Sequence, residues 1–481
     1  MKLPLKHIKR ITLAAAPLVL LSACAVGPDY VRPSAETPPA FKEQAGWKIA
    51  QPADTAIPTK WWEIYNDPVL NALEEQVTIS NQSLIQAEAQ YRQARALVQS
   101  AQASYFPTLT GSVSNSRAGG PSSTSRTTTT TDSLSVNASW EPDLWGHVRR
   151  TVEANASSAQ ASAAELQALR LSTQAQLAQD YFQLRDQDAN RQLYDKTVID
   201  YKKSLELTQN QYKSGIVPKE NVVLADTQLK QTEAQAIDFD VARAQMEHAI
   251  ALLVGKPAST FSIAAVDKFD PPVPALPLGL PSALLERRPD IANAERLVAS
   301  ANAQIGVAKS AYFPSLTLAA SGGYESSGLA HWISLPNRLW SVGPSLAETL
   351  FDGGLREANT KQAIASYDAS VANYRNIVLT SFQEVEDNVA ALRIYEQEAR
   401  KQEQAVALSR RSVELTINQY KAGIISYLDV ITVETTALTN ERTYVELLNK
   451  RLAANVLLVK ALGGGWDVAQ LPDVKTVSKN D

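Results

Sequence analysis

The sequence predicts a mainly α-helical fold with a membrane β-barrel portion, laid out twice along one chain. Three observations predict it. First, phrases recur in order: "ASYFPTLTG" (103–111) returns as "SAYFPSLTL" (310–318), "LWGHVRR" (144–150) as "FDGGLRE" (351–357), and "LTQNQYKSGIV" (207–217) as "LTINQYKAGII" (415–425). Second, the stretches 147–212 and 355–420 contain neither proline nor glycine and are rich in Ala, Gln, Leu and Glu. Third, the runs that follow each Tyr-Phe-Pro alternate apolar residues with Ser, Thr or Asn, the period of a strand with two unlike faces. Duplication follows from the first observation, long helices from the second, membrane strands from the third.

In chain order, residues 1–23 read as a signal peptide. Lys2, Lys6, Lys9 and Arg10 precede the apolar run "ITLAAAPLVLL" and then "LSAC", a basic region, a short hydrophobic region and small residues before a cleavage point. Pro17 interrupts that run, which is shorter than the ~20 residues a spanning helix needs. Leu21-Ser22-Ala23-Cys24 matches the bacterial lipobox, making Cys24 the expected lipidation site and mature N-terminus. A plain signal peptide with an incidental thiol is the competing reading. Cys24 is the only cysteine, so an intrachain disulfide is excluded. Ala25 follows it, where an aspartate would resemble an inner-membrane retention signal; the outer membrane of a Gram-negative bacterium is the expected location. The composition, 44% hydrophobic and 20% charged, excludes wholesale disorder. The net charge of −4 becomes −8 once the four basic residues of 1–23 are removed, and no basic cluster offers itself to nucleic acid.

Residues 24–66 form a lipidated N-terminal segment, and 67–269 the first repeat, with strands at about 108–140 and helices at about 146–254. In "SLSVNASW" (133–140), Leu134, Val136, Ala138 and Trp140 share one face opposite Ser and Asn. A Pro-rich connector, 270–289, leads to the second repeat, 290–465, with strands at about 315–351 and helices at about 353–462. There "SLTLAASGGY" (315–324) puts Leu316, Leu318, Ala320 and Tyr324 on one face. Small polar residues opposite apolar ones describe a strand with lipid on one side and water on the other; the edge of a soluble β-sandwich is the competing reading. Strands 108–115 and 340–350 are less clean, the latter weakened by Pro344 and Glu348. The segment 119–132 between strands reads as a polar, flexible extracellular loop. Trp140, Trp145, Trp332 and Trp340, with Tyr105, Phe106, Tyr312 and Phe313, are candidate interface aromatics near strand ends. Each Tyr-Phe-Pro thus marks where a helix stops and a membrane strand begins.

The long helices would each reach roughly 100 Å if unbroken. Tyr367, Val371, Tyr374, Val378, Val385 and Leu392 step at coiled-coil spacing. Gly215 and Gly423 stand where a helix C-terminus expects glycine. Residues 466–481 form a C-terminal tail. Four strands cannot close a barrel, and open edges are not tolerated in lipid. Copies must therefore share one: two would give eight strands and a filled interior, three would give twelve and a lumen.

The stretches "LSACAVGPDYVRP" (21–33), "LLERRPDIANAERLVASANAQIGVAKSAYFPSL" (284–316), "LFDGGLREA" (350–358) and "YKAGIISYLDV" (420–430) resemble the outer-membrane factor (TolC-like) family in its NodT-type lipoprotein branch. The resemblance spans essentially the whole mature chain. It implies a homotrimer with a twelve-stranded barrel continuing into a twelve-helix periplasmic tunnel, the N-terminal segment, the connector and the tail forming a mixed equatorial belt. It also implies a role as exit duct of a tripartite efflux pump, docked to a periplasmic adaptor and an inner-membrane transporter. By the same resemblance the helix tips at 212–222 and 420–432 form the periplasmic gate. Asp429 takes the place of the first family aspartate, while Thr432 stands where the second would be. Tyr420 matches a latch tyrosine whose arginine partner is replaced by Ile425. The competing reading makes Asp429 a solvated residue near a helix start. Asp226 and Glu434, equivalent across the repeat, are expected to face solvent.

No metal-ligand spacing, nucleophile motif or phosphate-binding glycine loop occurs, so neither catalysis nor a cofactor beyond the lipid on Cys24 is expected. A non-conducting coiled-coil envelope lipoprotein is the alternative function. The paired membrane strands discriminate against it, because a tether needs none.

Overall fold

The computed structural model describes residues 25–44, 57–121, 126–266, 269–276, 281–328 and 332–479; the expected signal peptide, 1–23, and Cys24 lie outside them. Seven substantial helices and four strands follow in order: α1 (Pro68–Ser80), α2 (Gln82–Ala103), β1 (Thr108–Pro121), β2 (Arg126–Trp140), α3 (His147–Lys213), α4 (Lys219–Leu253), α5 (Pro289–Ser310), β3 (Ser315–Ser326), β4 (Arg338–Ala347), α6 (Leu355–Lys421) and α7 (Tyr427–Ala461). The second half repeats the first. Both long helices, α3 and α6, have 67 residues, and both return helices, α4 and α7, have 35. Among the described residues no helix is long and apolar enough to cross a membrane.

The helix ends have a common cause. Ile216 N–H donates to Gln211 O and Gly215 N–H to Tyr212 O, both at 2.9 Å. The same pair of bonds closes α6, from Ile424 to Gln419 and from Gly423 to Tyr420. This is the Schellman pattern, which needs a left-handed residue at the glycine. Gly215 and Gly423 both have φ of 74°, where any side chain would be strained.

The long helices change partners along their length. On the sheet side of the molecule α3 packs between α2 and α5, and α6 against α5. Beyond mid-height α3 packs between α4 and α7, and α6 against α7. Four helices therefore stand side by side at either level. The main core sits at the changeover. Trp61, Tyr65 and Leu70 meet Tyr181, Phe182 and Leu184 of α3 there, with Tyr374, Val378, Val385 and Leu392 of α6. The coiled-coil seam expected on α6 is thus its core-facing stripe, with Tyr367 and Val371 packed at its margin.

A strap, residues 25–44, runs along this body. At its start Val26 N–H bonds Trp145 O at 3.0 Å, beside the junction of β2 and α3. Asn302 then holds Pro28 O at 3.0 Å, Arg375 holds Ser34 O at 3.2 Å, and Glu386 accepts Lys42 N–H at 2.6 Å. The strap crosses α5 at Gly306, whose Cα lies 2.5 Å from where a Cβ on Gly27 would be; two glycines permit the crossing.

The four strands form one antiparallel sheet, β1-β2-β3-β4. Two expectations are corrected. The segment 119–132 is mostly strand: Gly119 pairs with Thr128 and Pro121 with Arg126, because the threonine run is β-branched and pairs readily. The last strand is Arg338–Ala347, so Pro344 lies within it and Glu348 outside. β4 has a partner only on the β3 side among the described residues, and an edge is where a strand tolerates proline.

Candidate functional site

The sheet register sorts side chains onto two unlike faces. Leu109, Ala138, Ala320 and Val342 form one cross-strand row, and Gly111, Val136, Gly322 and Trp340 the next. Leu316 with Leu346 continues this apolar face toward the helices, and Leu134 with Tyr324 continues it away from them. From Leu316 to Tyr324 the face covers ~27 Å of strand, or ~20 Å of height at a ~40° tilt, close to the apolar band of an outer-membrane barrel. Much of it is bare in the single chain: Leu109 is 71% exposed and Val342 72%, while Leu134, Leu316 and Tyr324 are half-buried. At the far end it gives way to Asn115, Asp132 and Ser326.

The opposite face is mainly hydroxylic, with Glu325 and Leu339 among its residues. Ser112 and Ser135 bond at 2.7 Å, Ser114 and Ser133 at 2.7 Å, and Ser321 and Ser341 at 2.8 Å, with Thr108, Thr110, Asn137 and Thr317 on the same side. An apolar outer face and a polar inner face are what a strand lining a water-filled barrel requires.

The turns between helix and strand carry the Tyr-Phe-Pro aromatics. Phe106 is 70% exposed, and Tyr105, Tyr312 and Phe313 are about two-fifths exposed. Phe313 stacks on Trp145 at 4.9 Å, whose indole N–H reaches Pro314 O at 2.7 Å. The Trp140 indole donates to Tyr105 O at 3.0 Å, and the Arg356 guanidinium lies 5.4 Å over the Tyr312 ring. Trp340 is the third residue of β4 and lies on the apolar face opposite Gly322.

At the other end of the molecule, the tips of the two hairpins pack on a small cluster of Ala225, Tyr420, Tyr427 and Val430. Tyr420 is 2% exposed; its hydroxyl donates to Thr208 Oγ1 at 3.3 Å, and its carbonyl accepts from Gln211 Nε2 at 3.4 Å. Its ring lies 5.3 Å from that of Tyr427, whose phenol burial holds protonated well above the ordinary range. Tyr420 thereby joins α6 to α3. Asp429 is exposed at the third position of α7, where it accepts from Ser426 N–H at 3.0 Å and Ser426 Oγ at 2.8 Å, the carboxylate arm of a capping box. Thr432 is exposed, and its hydroxyl turns back to Leu428 O at 2.8 Å. Ile425 is half-buried beside the cluster.

Asp226 is exposed. Its counterpart Glu434 is a correction: it is 6% exposed, because α3 covers it and Ser204 donates to its Oε1 at 3.0 Å. Sequence reasoning also missed Thr208, Gln211 and Tyr427, whose roles depend on contacts between the two repeats. Above the tip, α3, α6 and α7 enclose a groove of about 830 Å³ lined by Leu207, Ile417, Leu438 and Glu434.

The comparisons with known proteins agree with this architecture. The sequence profile of the family described as outer membrane efflux protein matches residues 73–256 and 280–464. The solvent efflux pump outer membrane protein SrpC of Pseudomonas putida is 30% identical over 467 residues, covering 94% of this chain and 98% of its own. The cation efflux system protein CusC of Escherichia coli is 28% identical, with 93% and 96% covered. Among solved structures, the outer-membrane channel OprN superposes with a TM-score of 0.86 at 29% identity, covering 92% of this chain and 100% of that one. By sequence profile, relatives and superposition alike, the chain belongs to the outer membrane efflux protein family.

Proposed function

We propose that the chain is one third of a passive exit duct in the outer membrane, serving a tripartite efflux pump. The observation that carries this reading is the two-faced sheet of four strands, apolar on one side and hydroxylic on the other, with both edge strands open. Lipid does not tolerate such edges, and three copies close them as twelve strands around a lumen. The helices ask for the same partner. The end helices bear apolar residues that nothing covers in one chain: Val223, Ile237 and Val241 on α4, and Ile394, Leu408 and Leu415 on α6. Three copies bring α4 of one beside α6 of the next and make four helices into twelve.

In this reading Cys24 carries an N-terminal lipid, immediately before the described strap in sequence. Tyr420, Asp429 and Thr432 belong to the periplasmic gate. Threefold symmetry would turn one Asp429 carboxylate into three and focus negative potential at the entrance. A periplasmic adaptor and an inner-membrane transporter supply docking and energy, and the exported small molecule is chosen by the transporter. The duct needs no catalytic residue and no cofactor.

The test is native mass spectrometry of the full chain extracted from outer membranes in mild detergent, followed by conductance in planar bilayers. A conducting trimer whose subunits begin at acylated Cys24 is expected. A monomer, or a trimer that never conducts, would return the chain to the class of structural envelope lipoproteins.

A further inference from the structure

Beyond mid-height the chain consists of two hairpins, α3–α4 and α6–α7, and their main join is α3 against α7. Two carboxyl groups are buried in that join, at levels ~27 Å apart along α3. Asp186 of α3 is 6% exposed. Its Oδ2 accepts from Gln183 at 3.3 Å and Gln187 at 3.1 Å, while Oδ1 is buried without a hydrogen-bond partner among the described residues. From α7 it faces Arg442 and Glu446, which bond each other at 2.7 Å. Glu434 of α7 repeats the arrangement from the other side: Oε1 is held by Ser204, and Oε2 is buried without a partner.

The groups around Glu434 do not neutralise it. From α3 it faces Asp200 and Tyr201; from its own helix it faces Tyr427. Of the cations lining the same groove, Lys203 pairs with Asp200 at 2.8 Å and Arg410 pairs with Glu441; Lys196 of α3 and Lys421 of α6 complete the set. From α4, Gln228 reaches only Tyr201 and Thr435. A buried carboxylate with one oxygen unpaired is costly, whereas the neutral acid is not. Burial accordingly raises both groups to about 7, assisted by Glu446 at Asp186 and by Asp200 at Glu434, and opposed by Arg442 and the Asn190 side chain at Asp186 and by the Ser204 hydroxyl at Glu434.

We propose that the α3–α7 join is a proton-operated catch: with Asp186 and Glu434 protonated the two hairpins stay closed on each other, and ionisation of the two carboxyls loosens them. The sign follows from linkage. Opening the join returns each group to water and to the ordinary carboxylate range, so the closed form binds protons that the open form releases. Closure is strongest at and below the ordinary range and weakens as pH rises to about 7. Each site can shift the balance by on the order of a hundredfold. The tie from Tyr420 to Thr208 and Gln211 contains no carboxyl group and would hold the tip in register while the join relaxes. The loosening stands on the join alone; that it regulates export rests on the duct reading.

The experiment is amide hydrogen exchange of the full chain in detergent at pH 5.5 and pH 7.5, corrected for intrinsic exchange, with bilayer conductance measured on the same preparations. Protection of 183–205 and 430–450 is expected to fall tenfold or more at the higher pH. The fall should be abolished in a Glu434→Gln, Asp186→Asn double variant, whose side chains imitate the neutral acids. Equal corrected protection at the two pH values, or an unaltered pH response in the double variant, would overturn the catch. If the double variant does not assemble, single Glu434→Gln decides, since it must remove the response at 430–440 and spare that near Asp186. Exchange that switches in a protein that never conducts would support the catch and refute the duct.

Discussion

Asp429 shows how one side chain can serve structure and charge together. Its bonds to Ser426 cap α7, and its exposure leaves the negative charge available at the tip. The two roles separate by substitution. Asp429→Ala removes the cap and should cost about 1 kcal/mol in the stability of the tip. Asp429→Asn keeps a capping oxygen and removes only the charge. Both variants should still assemble and both should show weaker cation preference in bilayers; unchanged ion selectivity in the Asn variant would remove Asp429 from the gate. At this scale the sequence was only partly readable. The Ser426-x-x-Asp429 spacing is local and could have announced the cap. The burial of Glu434 could not be read, because the residue that covers it, Ser204, lies 230 positions away. Repeat symmetry misled here, since Asp226 and Glu434 are equivalent in sequence but only the second is enclosed by the opposing hairpin.

The strands were legible as elements because period two leaves a mark in composition. Leu134, Val136, Ala138 and Trp140 fall on the face where alternation placed them, as do Leu316, Leu318, Ala320 and Tyr324. Alternation stops being informative beyond the apolar band, where both faces are polar, and the strands of 119–132 therefore looked like a loop. The two faces make a paired prediction. Val136→Arg places a charge on the lipid side near mid-band and should cost about 2–4 kcal/mol, seen as a sharp loss of trimer recovered from outer membranes. Asn137→Arg, one residue on and facing the hydroxyls, should assemble normally and shift the pore toward anions. Equal recovery of the two variants would mean that the faces have been assigned the wrong way round. The helices were more legible still, because glycine at a Schellman position is a local requirement. The exchange of partners along α3 and α6 was not, since it arises only from tertiary packing.

For the whole molecule, duplication is the organising fact, and it was readable from recurring phrases alone. Each repeat supplies a short helix, a strand pair and a hairpin, so that four helices stand at either level and the long ones run through the equator uninterrupted. The strap adds a second link between membrane and equator. Cys24→Ser should abolish the acyl mass while leaving the trimer intact, because the neighbouring strands, not the lipid, close the barrel edges. An acylated Ser variant in the same native mass spectrum would refute the lipobox reading. The serine pairs of the inner face carry a further consequence. A wall of paired hydroxyls can give and take hydrogen bonds with little loss, much as a bound layer of water does. A molecule sliding past exchanges one such partner for the next, and meets Glu325 beside Ser133 and Leu339 beside Gly323 on the same face. Where hydroxyls alone line the sheet, transit depends on diffusion and width more than on the chemistry of the cargo.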